Sequence, residues 1–169
     1  EKIARGIWAG VFTTFTPFYG LHIIVAGTIA FILRGNVLAA LLATFFGNPL
    51  TYIPIGIISL RTGEFLLASE GLGHDGENLV SLFLGAFLDL KSNLYSIMIG
   101  GPVEWNDLII FYQDVFFPYL IGGIFPGIIA ASICWMISLP LIRAYQNRRK
   151  GRLREKLREI KEKSTKFRK

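Results

Sequence analysis

The stretch of residues 47–54, GNPLTYIP, lies between the apolar runs VLAALLATFF and IGIISL. Its two prolines, glycine and asparagine oppose a regular helix in a region that is otherwise apolar enough for lipid. In lipid an unpaired backbone amide or carbonyl is costly, so irregular backbone persists there only where protein or a wet cavity surrounds it. We therefore expect a break at membrane depth that lines a cavity. The alternative is a short surface loop between two tilted or interfacial helices.

The apolar runs in the first half of the chain are short. Residues 7–15, 18–33, 37–46 and 52–60 form runs of 9, 16, 10 and 9 residues, whereas a membrane-spanning helix needs about 20. Half-length helices joined by irregular backbone occur in transporters, where the helix ends hold ions and anionic groups. We expect the helix breaks at Pro17, Gly20, Pro49 and Pro54.

The composition favours a membrane protein. Of the 169 residues, 52% are hydrophobic and 18% are charged, against about 25% charged in a typical soluble domain. The 18 glycines and 14 phenylalanines suit helices that pack closely in lipid. The predicted fold is an all-α integral membrane protein, a small polytopic bundle with broken or re-entrant half-helices. Because so short a chain needs a second copy to enclose a pathway, we expect a homo-oligomer.

Positive charge is concentrated at the carboxyl end. Residues 143–169 carry 13 Lys and Arg against 3 Glu, whereas residues 1–142 carry 5 basic and 9 acidic residues. The positive-inside rule predicts a multi-pass protein with its C-terminus in the cytoplasm. We divide the chain into a membrane-embedded domain, 1–142, and a basic cytoplasmic tail, 143–169. Within the first domain, the polar loop 69–78 joins the halves 1–68 and 79–142.

Two segments share a layout. Residues 17–34 and 126–143 each place a proline, an apolar run and an arginine at the same spacing. This similarity fits an inverted repeat of the kind found in secondary transporters. Any two proline-containing membrane helices that end in arginine would share it, so chance is the preferred explanation.

The order of motifs in the first half resembles an uncharacterised bacterial membrane family, domain of unknown function 2062. The family pattern has a G-x-F, a P-x-x-G followed by His or Gln, then R-x-N, N-P-x-T and a later glycine. The chain matches it at Gly10, Phe12, Pro17, Gly20, His22, Arg34, Asn36, Asn48, Pro49, Thr51 and Gly63. The resemblance is strong over residues 1–68. It implies a location in the bacterial inner membrane and no particular activity.

Five polar residues within the apolar first half are the candidate substrate-binding residues: His22, Arg34, Asn36, Asn48 and Thr51. Such groups are costly in lipid and usually face a bundle interior or a cavity. A break before His22 would free backbone amides that attract an anion, and the planar guanidinium of Arg34 matches phosphate oxygens. The structural alternatives are a hydrogen-bonded histidine between helices, a snorkelling arginine, an asparagine cap for the helix near residue 37, and satisfaction of backbone groups by Asn48 and Thr51.

Three function classes are compatible with these features. The first is a protein that binds or translocates an anionic amphiphile, such as a lipid or a polyprenyl phosphate, through a site made by broken helices. The second is an adaptor that stabilises or recruits an envelope complex through the basic tail, and the third is an intramembrane lipid enzyme that depends on His22 or an acid such as Asp89. No catalytic motif, metal spacing or cofactor motif is present, so we expect no enzyme, no metal and no cofactor.

The expected partners are membrane lipids with anionic headgroups, because the tail is basic and has a helical pattern. The alternative is a solvated cytoplasmic helix. Nucleic acid is not an expected partner.

Overall fold

The computed structural model describes residues 1–68 and 79–166, which within these ranges form helices and their connections, with no strand. The predicted all-α class is confirmed. The helices are Lys2–Thr13 (α1), His22–Ile32 (α2), Val37–Ala43 (α3), Pro49–Leu67 (α4), Leu79–Ile99 (α5), Asn106–Phe111 (α6) and Phe117–Lys166 (α7). A 3₁₀ turn, Thr44–Phe46, extends α3, and a π-helical turn, Tyr112–Phe116, joins α6 to α7. The predicted polar loop 69–78 lies outside the described residues.

Helix α7 is the element on which the others assemble. Helices α1 and α4 pack against α7, α2 and α3 pack against α1, and α5 packs chiefly against α6. The segment from Pro118 to Arg143 has 26 residues, which at about 1.5 Å per residue reaches roughly 38 Å. That length exceeds the roughly 30 Å of a bilayer's hydrocarbon core.

Helix α1 lies antiparallel to the later part of α7. Arg143 Nη2 donates to Glu1 Oε1 at 2.8 Å, and Trp8 Nε1 donates to Ser132 Oγ at 3.2 Å. Further along, Phe15 at the end of α1 reaches the glycines near the start of α7. The amino-terminal end of α1 therefore lies beside the beginning of the basic tail.

Helix α4 lies against the earlier part of α7 through direct backbone contact. A Cβ at Gly63 would overlap the carbonyl oxygen of Pro118, and a Cβ at Gly122 would overlap the carbonyl oxygen of Ser59. Glycine is required at both positions because any side chain would force the helices apart. This close packing of small residues is typical of helices that associate in lipid.

The same kind of contact joins α1 to α3. Gly6 and Gly10, one turn apart on α1, lie against the carbonyl oxygens of Asn36 and Ala40. Ala9, Ala26, Ala30 and Ala40 form a small buried cluster between α1, α2 and α3. The interior of the first half is therefore built mainly from alanine and glycine.

Large apolar side chains lie mostly on the outside. Phe31, Phe65 and Met98 are 77%, 84% and 80% exposed. Within the described ranges, two helices are long and apolar enough to cross a membrane: Pro49–Leu67, and the continuous helix Asn106–Arg158 that combines α6 with most of α7. Small residues inside and large apolar residues outside are the distribution expected when lipid is the solvent.

The expected break at Pro54 is not present, because α4 continues through this residue. Pro54 lies in the second turn, where its missing amide removes one hydrogen bond near the helix start. Helix α7 likewise continues through Pro126 and Pro140. By contrast, Pro17 and Gly20 lie in the connection between α1 and α2.

The two segments considered as a repeat have different structures. Residues 17–34 comprise an irregular connection followed by α2, whereas residues 126–143 lie inside α7 without interruption. The shared spacing of proline and arginine therefore does not correspond to a shared local fold.

We expect Gly63→Ala to destabilise the protein by about 1–3 kcal/mol, because the added methyl group must displace the Pro118 backbone. Gly56→Ala is the matched control on the same helix, since a Cβ at Gly56 meets no atom within 4 Å. That control should be neutral or stabilising, because alanine favours helix over glycine. Unfolding of both variants in detergent measures the difference, and equal stabilities would contradict the backbone contact.

Candidate functional site

Helix α2 separates the predicted binding residues into two groups. His22 begins α2 and Arg34 lies just beyond its end, so at about 1.5 Å per residue they are roughly 18 Å apart along the axis. Asn36 lies in the turn that contains Arg34, whereas Asn48 and Thr51 lie at the start of α4, on the His22 side. A single headgroup therefore cannot contact both His22 and Arg34.

Arg34 occupies a backbone conformation that favours glycine. Its φ angle is 51°, and its amide donates to Phe31 O at 3.0 Å while Gly35 N donates to Ala30 O at 2.7 Å. These two bonds form a Schellman motif, whose left-handed position is usually glycine. A side chain there costs on the order of 1 kcal/mol. The chain therefore carries a guanidinium at a position where glycine would be more stable.

The surroundings of Arg34 combine positive charge with apolar surface. Lys2, Phe31, Ile32, Arg34 and Gly35 line an open hollow of about 550 Å³. Phe31 and Ile32 are 77% and 70% exposed, and both basic residues are exposed. The hollow can therefore offer two cations to an anion and an apolar wall to a hydrocarbon chain.

Backbone contacts hold this turn against the first turns of α1. Asn36 N donates to Lys2 O at 2.8 Å, and Arg5 Nη1 donates to Leu33 O at 2.9 Å. The latter bond places a cation at the carboxyl end of α2, where the helix carries partial negative charge. The backbone contacts thus bring Lys2 and Arg34 together although their two positive charges repel each other.

Three of the five polar candidates, Asn36, Asn48 and Thr51, take part in helix caps. Asn36 Oδ1 accepts from Ala39 N at 2.8 Å at the start of α3. Asn48 Oδ1 accepts from Leu50 N and Thr51 N at 3.0 and 3.1 Å, and Thr51 Oγ1 accepts from Asn48 N at 2.9 Å. The reciprocal pair is a capping box. These side chains satisfy backbone groups that the breaks leave free, and Pro49 occupies the first position of α4.

His22 belongs to a cluster of rings at the other end of α2. Its Nε2 lies 3.3 Å from Thr16 O, and its ring centroid is 5.7 and 5.9 Å from those of Tyr19 and Tyr52. The hydroxyl groups of Tyr19 and Tyr119 are 3.0 Å apart. The cluster joins the α1–α2 connection to α4 and α7, so His22 has the surroundings of a hydrogen-bonded histidine between helices.

Asp89, the acid considered for an intramembrane enzyme, connects α5 to α6. Its Oδ1 accepts from Asn93 Nδ2 at 2.9 Å and its Oδ2 accepts from Leu108 N at 3.0 Å. Asn93 in turn accepts from Glu104 N at 2.9 Å and donates to Glu104 O. Both carboxylate oxygens are therefore engaged in holding the fold.

Among residues 1–68 and 79–166, no group of three or more His, Cys, Asp or Glu side chains is placed to hold a metal ion. The acidic stretch HDGE at 74–77 lies outside the described residues.

The sequence did not indicate Lys2 or the three tyrosines as members of these groups. Lys2 and Arg34 are 32 positions apart, and only the turn at the end of α2 brings them together. Tyr19 follows Pro17 in an irregular segment whose path no periodicity defines. The sequence did contain a local indication of the first group, because Arg34 lies between an apolar run and Gly35-Asn36.

The described part of the chain is all-helical, contains two helices long and apolar enough to cross a membrane, and has a basic, partly apolar hollow at one end. The chain belongs to a bacterial family described as "Uncharacterized protein conserved in bacteria (DUF2062)", whose profile matches residues 1–151. The resemblance seen in the first half thus extends through the helical bundle and ends within α7, at residue 151 in the basic tail. No curated protein and no solved structure matches the chain significantly.

We predict that Asn48→Ala lowers stability by about 1 kcal/mol, because two amides at the start of α4 lose their acceptor. Asn48→Asp should retain most of the stability, since aspartate caps a helix equally well. Asn147→Ala, in the exposed part of α7, serves as the matched control and should be neutral. Thermal unfolding in detergent ranks the three variants. An Asn48→Ala protein as stable as the control would contradict the capping role.

Proposed function

We propose that this protein is embedded in the bacterial inner membrane and binds an anionic amphiphile, a lipid or a polyprenyl phosphate, at the Lys2–Arg34 hollow. The observation that carries the proposal is Arg34 in the left-handed position of the turn, beside Lys2 and exposed apolar side chains. Backbone strain that persists where glycine would remove it is typical of positions whose side chain has a function.

The distribution of charge supports a cytoplasmic location for this hollow. The contact between Glu1 and Arg143 places the amino-terminal end of α1, and with it Lys2 and Arg34, beside the start of the basic tail. Asp89 and Glu104 lie together at the α5–α6 junction, toward the other end of α7. Under the positive-inside rule, the basic end faces the cytoplasm.

The chemistry of the hollow suits a phosphate group attached to an apolar chain. A guanidinium donates two parallel hydrogen bonds to phosphate oxygens, and an ammonium adds a mobile point charge. Phe31 and Ile32 face outward next to these cations, so a hydrocarbon chain can continue along α2. A soluble anion would gain nothing from this apolar wall.

His22 takes a different place in the proposal. It lies at the far end of α2 in the ring cluster, so an amphiphile bound at Arg34 would reach it only by moving through the protein. Binding at the hollow is the primary proposal, and translocation past the ring cluster is its extension.

Arg34→Gly is the variant that separates binding from folding. It removes the guanidinium and relieves the left-handed strain, so we expect unchanged or higher stability. Affinity for a short-chain phosphatidate in detergent should fall at least about tenfold, because a hydrogen bond to a charged group is worth about 1.5–3 kcal/mol. Equilibrium binding and thermal unfolding are measured on the same preparations.

Two controls sharpen this test. Arg34→Lys keeps the charge but not the planar fork and should show intermediate affinity, and short-chain phosphatidylcholine should bind the wild type and Arg34→Gly equally weakly. Unchanged phosphatidate affinity in Arg34→Gly would contradict the proposed site. Reduced stability in that variant would contradict the assigned turn geometry.

A further inference from the structure

Helix α7 continues far beyond the bundle. It ends at Lys166, 23 residues after Arg143, which corresponds to roughly 35 Å. From residue 144 to residue 158 every side chain is exposed. The apolar side chains of this extension are therefore exposed and do not pack against the bundle.

Those apolar residues form one stripe. Leu153, Leu157 and Ile160 are 56%, 59% and 63% exposed and follow the spacing i, i+4 and i+7, which places them on a single face of the helix. An exposed stripe of this kind on a charged helix is typical of a surface that a partner covers.

Basic residues lie beside the stripe. Arg154 and Lys156 fall within about 100° of its centre, one on each side. Glu155 lies two residues after Leu153, about 200° around the helix, and Arg158 lies on the same far side. The two edges of the apolar face are therefore basic, whereas the far side carries both signs of charge.

This arrangement favours an anionic bilayer surface as the partner. On a bilayer, the apolar stripe enters the headgroup region while the long basic side chains at its edges reach the lipid phosphates and Glu155 remains in water. In a pairing with a second copy of the helix, Arg154 and Lys156 would flank the seam on both chains and repel each other. Charge complementarity therefore selects anionic lipid over self-association.

A straight α7 that crosses the bilayer would carry the stripe away from it, so the helix must bend between the crossing segment and Leu153. Gly151 lies at that point, and a Cβ there would meet no atom within 4 Å. Glycine weakens a helix locally, and no packing contact requires one here. From these observations we infer that α7 bends at Gly151 and that residues 152–166 lie on the anionic cytoplasmic leaflet. This inference rests on the proposed membrane embedding and not on the Lys2–Arg34 hollow.

The test uses the full chain in a Cys134→Ala background, with a nitroxide on Ile160→Cys or, as the matched control on the opposite face, on Glu155→Cys. The protein is reconstituted into vesicles of phosphatidylcholine alone or mixed equally with phosphatidylglycerol. In the mixed vesicles the label at 160 should lie about 5–10 Å below the headgroup surface and the label at 155 should stay in water. High salt or phosphatidylcholine alone should return the label at 160 to water.

Further variants separate the possible failures. Gly151→Ala should reduce the fraction of label 160 within the bilayer, because it favours a straight helix. A label on Ile133→Cys, inside the proposed crossing segment, should be in lipid throughout. If that label is in lipid but the label at 160 stays in water in mixed vesicles, the inference is overturned and the embedding stands. If the label at 133 is in water, the embedding itself is wrong. Spin–spin broadening at 160 without burial would indicate a second copy and also overturn the inference.

Discussion

The structure depends on backbone contact between helices at glycine. At Gly63 and Gly122, α4 and α7 approach so closely that neither position has room for a Cβ, and Gly6 and Gly10 allow the same approach between α1 and α3. Contacts of this kind gain dispersion energy over a large shared surface, which is the main source of helix association where lipid replaces water. They bury little apolar side chain, which explains why the large apolar residues lie outside. Lipid is the solvent that suits this packing, and it also suits the two described helices that are long and apolar enough to cross a membrane.

These contacts also explain the break at Gly47 and Asn48, between the 3₁₀ turn and α4. Helix α1 packs against the later part of α7, and α4 packs against the earlier part. The chain must therefore pass along α7 from its later part to its earlier part between α3 and α4. The capping box of Asn48 and Thr51 pairs the backbone groups exposed by that passage, and Tyr52 joins the ring cluster around His22. The break therefore has a structural role that the polar sequence alone did not distinguish from a cavity lining.

The sequence predicted the parts of the fold that depend on local chemistry. Asn36 and Asn48 precede apolar runs, and both cap the helices that follow, which was the structural alternative for each. Prolines gave less information: Pro49 starts a helix, but Pro54, Pro126 and Pro140 lie within helices, where each removes one backbone hydrogen bond without ending the helix. The proximity of Lys2 and Arg34 could not be predicted from the sequence. It depends on a turn in which Arg34 has a positive φ angle, and no residue pattern in the chain indicated that angle.

We propose that α7 crosses the membrane once, with the Arg34 end in the cytoplasm and the α5–α6 junction on the other side. Single cysteines at Arg34, Glu104 and Asn147, in a Cys134→Ala background, test it with a membrane-impermeant thiol reagent applied to intact cells and to inverted vesicles. We expect labelling of positions 34 and 147 only in inverted vesicles and of position 104 only in intact cells. Labelling of positions 104 and 147 from the same side would contradict it.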